Sequence, residues 1–212
     1  EGDGGYIALA AGRNVGGFDL GAAITAGYGT YDLERNVVGA ATPTLAEGDT
    51  DIASFGARLH GSRLFGSAAG YVRPALSLDL VHTQAAGYTE TGAGAYNLAV
   101  QDQSETIMIA TPSVEVGKVM AVGNGMSLSM FANAAVSLSN ADEWTSIARL
   151  DMADASAGTF TTAVPVADQL GRVSLGLSLA RSQTFEARLE YAGAFGDDFA
   201  SHGIGLGITA RW

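Results

Sequence analysis

The chain has 212 residues, 47% of them hydrophobic and 16% charged, against a usual charged share of about 25%. A formal net charge of -11 argues against a nucleic-acid binder, which needs a basic surface to meet phosphate. The absence of cysteine excludes disulfides and thiolate metal sites.

No stretch approaches the roughly 18 consecutive apolar residues of a membrane helix. The opening "EGDGGYIALAAGRN" lacks the basic n-region and cleavage pattern of a signal peptide. Two runs, about 5–13 and 17–32, alternate loosely between apolar and polar residues. From residue 51 the alternation sharpens. Over 51–65, Ala53, Phe55, Ala57 and Leu59 oppose Ser54, Gly56, Arg58 and His60. Over 70–84, Leu76, Leu78 and Leu80 oppose Ser77 and Asp79. The run at 104–121 is looser. Over 125–140, Met126, Leu128, Met130, Ala132, Ala134, Val136 and Leu138 oppose a serine-rich face that Phe131 and Ala135 interrupt.

Three runs follow. Over 168–181, Val173, Leu175, Leu177 and Leu179 oppose Arg172, Ser174, Gly176 and Ser178. Over 184–195, Phe185, Ala187, Leu189, Tyr191 and Phe195 oppose Glu186, Arg188 and Glu190. Over 200–212, Ile204, Leu206, Ile208, Ala210 and Trp212 alternate with glycines, Thr209 and Arg211. Period 2 places each set on one face of a strand. That gives nine strands, longer than the five or six residues usual in soluble sheets.

The connections are sorted by length. Those with "RNVGG", "FGSAAG", "VGNG" and "RSQ" are very short, whereas 33–50, 85–103 and 141–167 are long; only the last connection, around Asp197, breaks the sorting. Short turns on one side and long loops on the other are the outer-membrane barrel pattern. A soluble sandwich has no reason to sort its turns, and it stands as a distant alternative. The expected fold is therefore all-β, an antiparallel transmembrane β-barrel of the outer-membrane type. Its apolar face meets lipid, and its polar face lines a wet lumen. By parity the lumen takes Asp19, Arg58, Asp79, Glu115, Arg172, Glu186, Arg188, Glu190 and Arg211, with Arg172 and Arg188 set among Glu186 and Glu190 in cross-strand ladders. Arg13, Arg63 and Lys118 break the lipid-face pattern near inner turns, where long cations can snorkel. Trp212 suits a membrane–water interface.

Several segments stand apart from simple alternation: Tyr88, Thr89, Glu90 and Gly92; the "NLAV" segment Asn97–Val100 with Gly117 on the strand after it; and Tyr191, Gly193, Phe195, Gly196, then Ser201, His202 and Gly203 in a short polar loop, then Trp212. Taken together, they resemble the C-terminal β-domain of autotransporters (type V secretion). The resemblance covers roughly residues 17–212. It implies a 12-stranded barrel with a helix in its lumen, in the outer membrane of a Gram-negative bacterium, where it exports and anchors an N-terminal passenger. Residues 1–212 are then a single translocator domain, and the expectation is that three strands, the lumen helix and the passenger linker precede Glu1. The implied partners are outer-membrane lipid, the barrel assembly machinery and the chain's own passenger segment in the lumen. Leu206, Ile208, Ala210 and Trp212 form the implied assembly signal. The alternative is a self-contained small barrel acting as an outer-loop protease, adhesin or structural protein.

Chemistry is sparse. His60, His82 and His202 lie far apart with no metal spacing, and "GAGAYNLA" lacks the lysine and context of a phosphate loop. No G-x-S-x-G elbow accompanies the serines. His82 and Asp102 flank one loop and leave only a narrow opening for hydrolysis. The expectation is a protein that is not an enzyme and uses no metal or cofactor.

Overall fold

The computed structural model describes residues 1–38, 44–141, 143–181, 185–197 and 199–210. Fourteen strands form, numbered in chain order: β1 (Gly2–Val15), β2 (Phe18–Val37), β3 (Thr44–Arg63), β4 (Phe65–Ser67), β5 (Gly70–Ala85), β6 (Tyr88–Thr89), β7 (Leu98–Val100), β8 (Gln103–Gly123), β9 (Met126–Ser139), β10 (Glu143–Leu150), β11 (Phe160–Pro165), β12 (Gln169–Arg181), β13 (Phe185–Gly196) and β14 (Phe199–Ala210). Nine of them make one antiparallel sheet in the order β1-β2-β3-β5-β8-β9-β12-β13-β14, with β4 added beside β5. These nine are the nine expected alternating runs. Each lies beside its sequence neighbour, so the sheet is a meander.

The tight turns follow from glycine chemistry. Gly16 and Gly17 join β1 to β2 with φ of 60° and 83°, the positive pair that a two-residue hairpin matched to strand twist requires. Asn124 and Gly125 do the same between β8 and β9, with φ of 52° and 71°. These hairpins define a turn end of the sheet. The opposite, loop end differs from expectation, because the three long connections are not simple loops. β2 and β3 stay paired out to Val37 opposite Thr44, so most of 33–50 is strand. Segments 85–103 and 141–167 build a second sheet in the order β11-β10-β7-β6. Its strands run from 2 to 8 residues, too short to leave a readable alternation.

Side chains sort by face, and the apolar face has nothing to bury it. No described large side chain is fully buried; Ile204 is 79% exposed, Leu206 73% and Ile208 68%. The accessible surface is 13968 Å², whereas a compact chain of 21.6 kDa exposes about 9,200 Å². The excess comes from both faces, since β1 and β14 are exposed on either side and polar-face Arg58 and Arg188 are 62% and 57% exposed. Among the described residues five apolar ones are buried, and three of them, Val37, Ala46 and Ala93, cluster at the loop end. β8 has 21 residues and β2 and β3 have 20 each, about twice the 9–11 that a tilted strand needs to cross a bilayer. The surplus forms the loop-end layer.

Candidate functional site: the polar face and its loop-end clamp

Register fixes the polar face. Asp19 stands opposite Ser62, which stands opposite Ala75, and Arg58 stands opposite Asp79. Ala75 meets Ser113, and Arg73 meets Glu115. Glu115 meets Asn133, which meets Ser174. Ser174 meets Ala192, and Glu190, Arg188 and Glu186 follow on the same side. All eight expected lumen residues from Asp19 to Glu190 therefore share one face. Arg211 and Trp212 lie outside the described residues.

The pairing on that face departs from expectation in one respect. Arg172 is opposite Ala135 and Ala194, and Arg188 is opposite Ser178 and Gly207. The expected ladder of Arg172 and Arg188 across Glu186 and Glu190 is not formed. The hairpin pairs Arg181 with Phe185, and this register sets Arg172 four residues beyond Glu190. Arg188 instead pairs along its own strand with Glu190, at 3.2 Å, and Glu186 accepts from the Ser178 hydroxyl at 3.0 Å. Cross-strand ion pairs do form elsewhere, between Arg58 and Asp79 and between Arg73 and Glu115. Asp19 accepts from the Asn14 amide at 2.8 Å.

The cluster around Glu115 was missed in the sequence. The Tyr71 hydroxyl donates to Glu115 at 2.9 Å. The Arg73 guanidinium stands 3.4 Å from the same oxygen and lies over the Tyr71 ring. The signal was available, since Arg73 shares the odd parity of Ser77 and Asp79. The face is thus a wall of small residues and paired charges, suited to water and to a mobile polypeptide.

The histidines take local partners. His60 meets Ser77 on the polar face, His82 meets Thr106 near the loop end, and His202 meets the Tyr191 hydroxyl at 2.9 Å with its ring against Phe195. His202 is within β14 and on the apolar face, opposite Gly193, not in the polar loop expected of it.

At the loop end the Tyr88–Gly92 motif acts as a fastener. Glu90 Oε1 and Oε2 accept from Arg35 Nε at 2.9 Å and Nη2 at 2.5 Å, and Oε2 also accepts the Leu98 N–H at 2.8 Å. A third Arg35 bond, from Nη2 at 2.9 Å, reaches the Tyr96 carbonyl. The Glu90 side chain is 5% exposed. Its pKa is held below the usual carboxylate range by the Arg35 hydrogen bonds, with the Leu98 N–H helping and burial opposing. Gly92 has φ of 91°, and a Cβ there would stand 2.7 Å from the Leu45 carbonyl oxygen. Tyr88 packs on Gly48 in the same way. Thr91 bridges Glu47 of β3, so the connection after β5 is tied to the β2–β3 hairpin. Sequence parity could not find Arg35, whose partner lies 55 residues away.

A family model described as the autotransporter beta-domain matches residues 1–192. No curated protein matches the chain. Among solved structures, the translocator domain of the autotransporter NalP from Neisseria meningitidis is 14% identical, with a TM-score of 0.60, over all of this chain and 67% of that one. The likeness is one of fold. The β-domain of the Bordetella autotransporter BrkA is 12% identical over all of this chain and 99% of that one, but its TM-score of 0.34 carries no argument.

Proposed function

The chain belongs to the autotransporter beta-domain family, and on that premise we propose that it is the outer-membrane translocator and anchor through which an N-terminal passenger reaches the cell surface. One observation carries the reading: a nine-stranded antiparallel sheet presents an unburied apolar face on one side and paired charges on the other. In water such an apolar face would aggregate. In a bilayer it is already solvated.

Within a bilayer, unpaired edge N–H and C=O groups each cost several kcal/mol, so a spanning sheet has to close. β1 and β14 are the sheet's edges among the described residues, and closure of both in a barrel is part of the proposal. The turn end then faces the periplasm, and the loop end with its second sheet faces outward. The polar wall offers a passing segment hydrogen-bonding groups but no apolar patch to hold it. Lipid solvates the apolar face, and the barrel assembly machinery inserts the sheet. We assign the barrel no reaction of its own.

The test uses intact cells making the complete protein. Cysteines at Ala95 and Ala157, both at the loop end, label with an impermeant maleimide, whereas one at Ser67 labels only after lysis. Protease shaving detects the passenger at the surface, and removing β8 and β9 abolishes that signal. Labelling of Ser67 in intact cells, or surface passenger without β8 and β9, overturns the reading.

A further inference from the structure

The apolar face is not uniform from end to end. At the loop end its register positions hold Asp3, Asp32, Glu34, Glu47, Asp49 and Asp51, all acids. At the turn end they hold Arg13, Arg63, Lys118 and Arg181, all cations. The acids near the turn end, Asp19 and Glu186, sit on the polar face, where Asn14 and Ser178 engage them.

The four cations have a regular placement. They lie on β1, β3, β8 and β12, which is every second strand of the sheet order, and each of these strands runs toward the turn end. Strands two apart are separated by about 9–10 Å, so neighbouring cations stand near that distance plus any offset along the strands. Lys118 is level with the turn at β4, because the next residue, Val119, donates its N–H to the Ala68 carbonyl at 2.6 Å. Arg63 is held between two rings, 4.8 Å from the Phe18 centroid and 5.1 Å from that of Phe65. Arg13 is opposite Leu20, Lys118 opposite Met130, and Arg181 opposite Met126 and Phe185.

Among the described residues, Arg13, Arg63 and Lys118 form no ion pair; the four ion pairs use Arg35, Arg58, Arg73 and Arg188. A cation this close to the interface is tolerated because its head reaches polar surroundings while its stem stays in hydrocarbon. The counter-charge has to come from outside the protein. On the proposed reading of a membrane-embedded barrel, on which this inference rests, the groups at that depth are lipid phosphates. In a zwitterionic headgroup the lipid's own ammonium competes for the phosphate. A headgroup of net negative charge has no such competitor.

We propose that the turn end of the apolar face is a docking girdle for phospholipids of net anionic headgroup, the phosphatidylglycerol class, in the leaflet that the turns face. Arg13, Arg63 and Lys118 bind the phosphates, and the rings beside Arg63 hold its guanidinium at the interface. The acids at the other end repel the same lipids, so the preference is confined to one leaflet and fixes the depth of the barrel in it.

The test is spin-label resonance of the complete protein in phosphatidylcholine bilayers doped with spin-labelled phosphatidylglycerol or phosphatidylcholine. Each label reports a motionally restricted fraction at the protein surface. The labelled phosphatidylglycerol is expected to associate about threefold to tenfold more strongly than phosphatidylcholine at low salt, falling toward parity at high salt. The triple variant R13Q/R63Q/K118Q loses the preference, K118Q alone weakens it, and R172Q on the polar face leaves it unchanged. Equal association of the two lipids with wild-type protein overturns the girdle, as does a preference that K118Q leaves at its wild-type value. A restricted component absent for both lipids instead overturns the membrane reading beneath it, so the two failures are distinguishable.

Discussion

Phe131 on β9 covers Gly176 on β12 so closely that a Cβ at position 176 would overlap the ring. Two strands away Tyr71 covers Gly117, where a Cβ would overlap the phenolic oxygen. Both pairs lie in one row across the polar face, in the order Tyr71, Gly117, Phe131, Gly176, Glu190, Gly205. Large side chain and bare backbone alternate along the row. The ring shields the glycine backbone, and the glycine leaves the ring room to lie across the sheet.

The first prediction tests that relation. G176A makes the ring of Phe131 move and is expected to cost about 1–3 kcal/mol, as overpacking does. In an F131A background the same glycine substitution is expected to be cheaper by about 1 kcal/mol, because the clash is gone. Urea unfolding of the four proteins in bilayers measures the cycle. Strict additivity would show that ring and glycine are independent.

A second prediction concerns the loop-end clamp and its pH dependence. Glu90 has its folded pKa lowered, chiefly by the Arg35 hydrogen bonds. The open loop therefore binds a proton more readily than the closed one. The clamp is at full strength above the ordinary carboxylate pKa of about 4.3, and weakens as pH falls through the lowered folded value. Hydrogen exchange at residues 86–100 is expected to rise below about pH 4 relative to the β12–β13 hairpin. R35A leaves a buried carboxylate without its cation and should open the loop by about 2–4 kcal/mol at pH 7. E90Q should remove the acid dependence; if exchange in E90Q still climbs with acid, another group is responsible.

The two faces give a third prediction. Leu175 is on the apolar face, 46% exposed, and the adjacent Ser174 is on the polar face opposite Asn133 and Ala192. L175R is expected to cost about 2–4 kcal/mol near the bilayer midplane, and S174R well under half of that. Folding equilibria in bilayers compare the two. Equal costs would mean that the faces are misassigned.

Strand existence was legible because lipid and lumen impose a strict period of 2 over a dozen residues, as in Leu175 against Ser174. The polar-face residues could be read from the same parity, Arg58 and Asp79 among them. Pairing could not, because register depends on where each hairpin begins: the turn after Arg181 fixes Arg172 opposite Ala194 and so dissolves the expected ladder. The loop-end sheet was invisible for a different reason. Tyr88–Thr89 and Leu98–Val100 are too short for periodicity, and they become strands only by pairing with each other and with β10. Arg35 and Glu90 meet across 55 residues, a distance at which local pattern carries no information.

The last prediction concerns β14. The strand is an edge among the described residues, all of its side chains are exposed, and its apolar row includes Leu206 and Ile208 with glycines between them. An edge with free backbone groups and little side-chain bulk is open to another strand. If the assembly machinery reads this strand, weakening its apolar row should harm insertion in cells more than folding in vitro. The matched control is β12, where Leu175 and Leu177 form a similar row with strands on both sides. L206Q/I208Q and L175Q/L177Q each remove two apolar side chains from lipid, so their thermodynamic losses should be comparable, about 2–4 kcal/mol. Refolding yield in detergent is expected to fall alike for the two variants. Outer-membrane levels in cells are expected to fall several-fold further for L206Q/I208Q. Equal cellular losses would reduce β14 to one apolar strand among nine, because a strand that is read for insertion differs from its neighbours in the rate of assembly and not in the stability of the product.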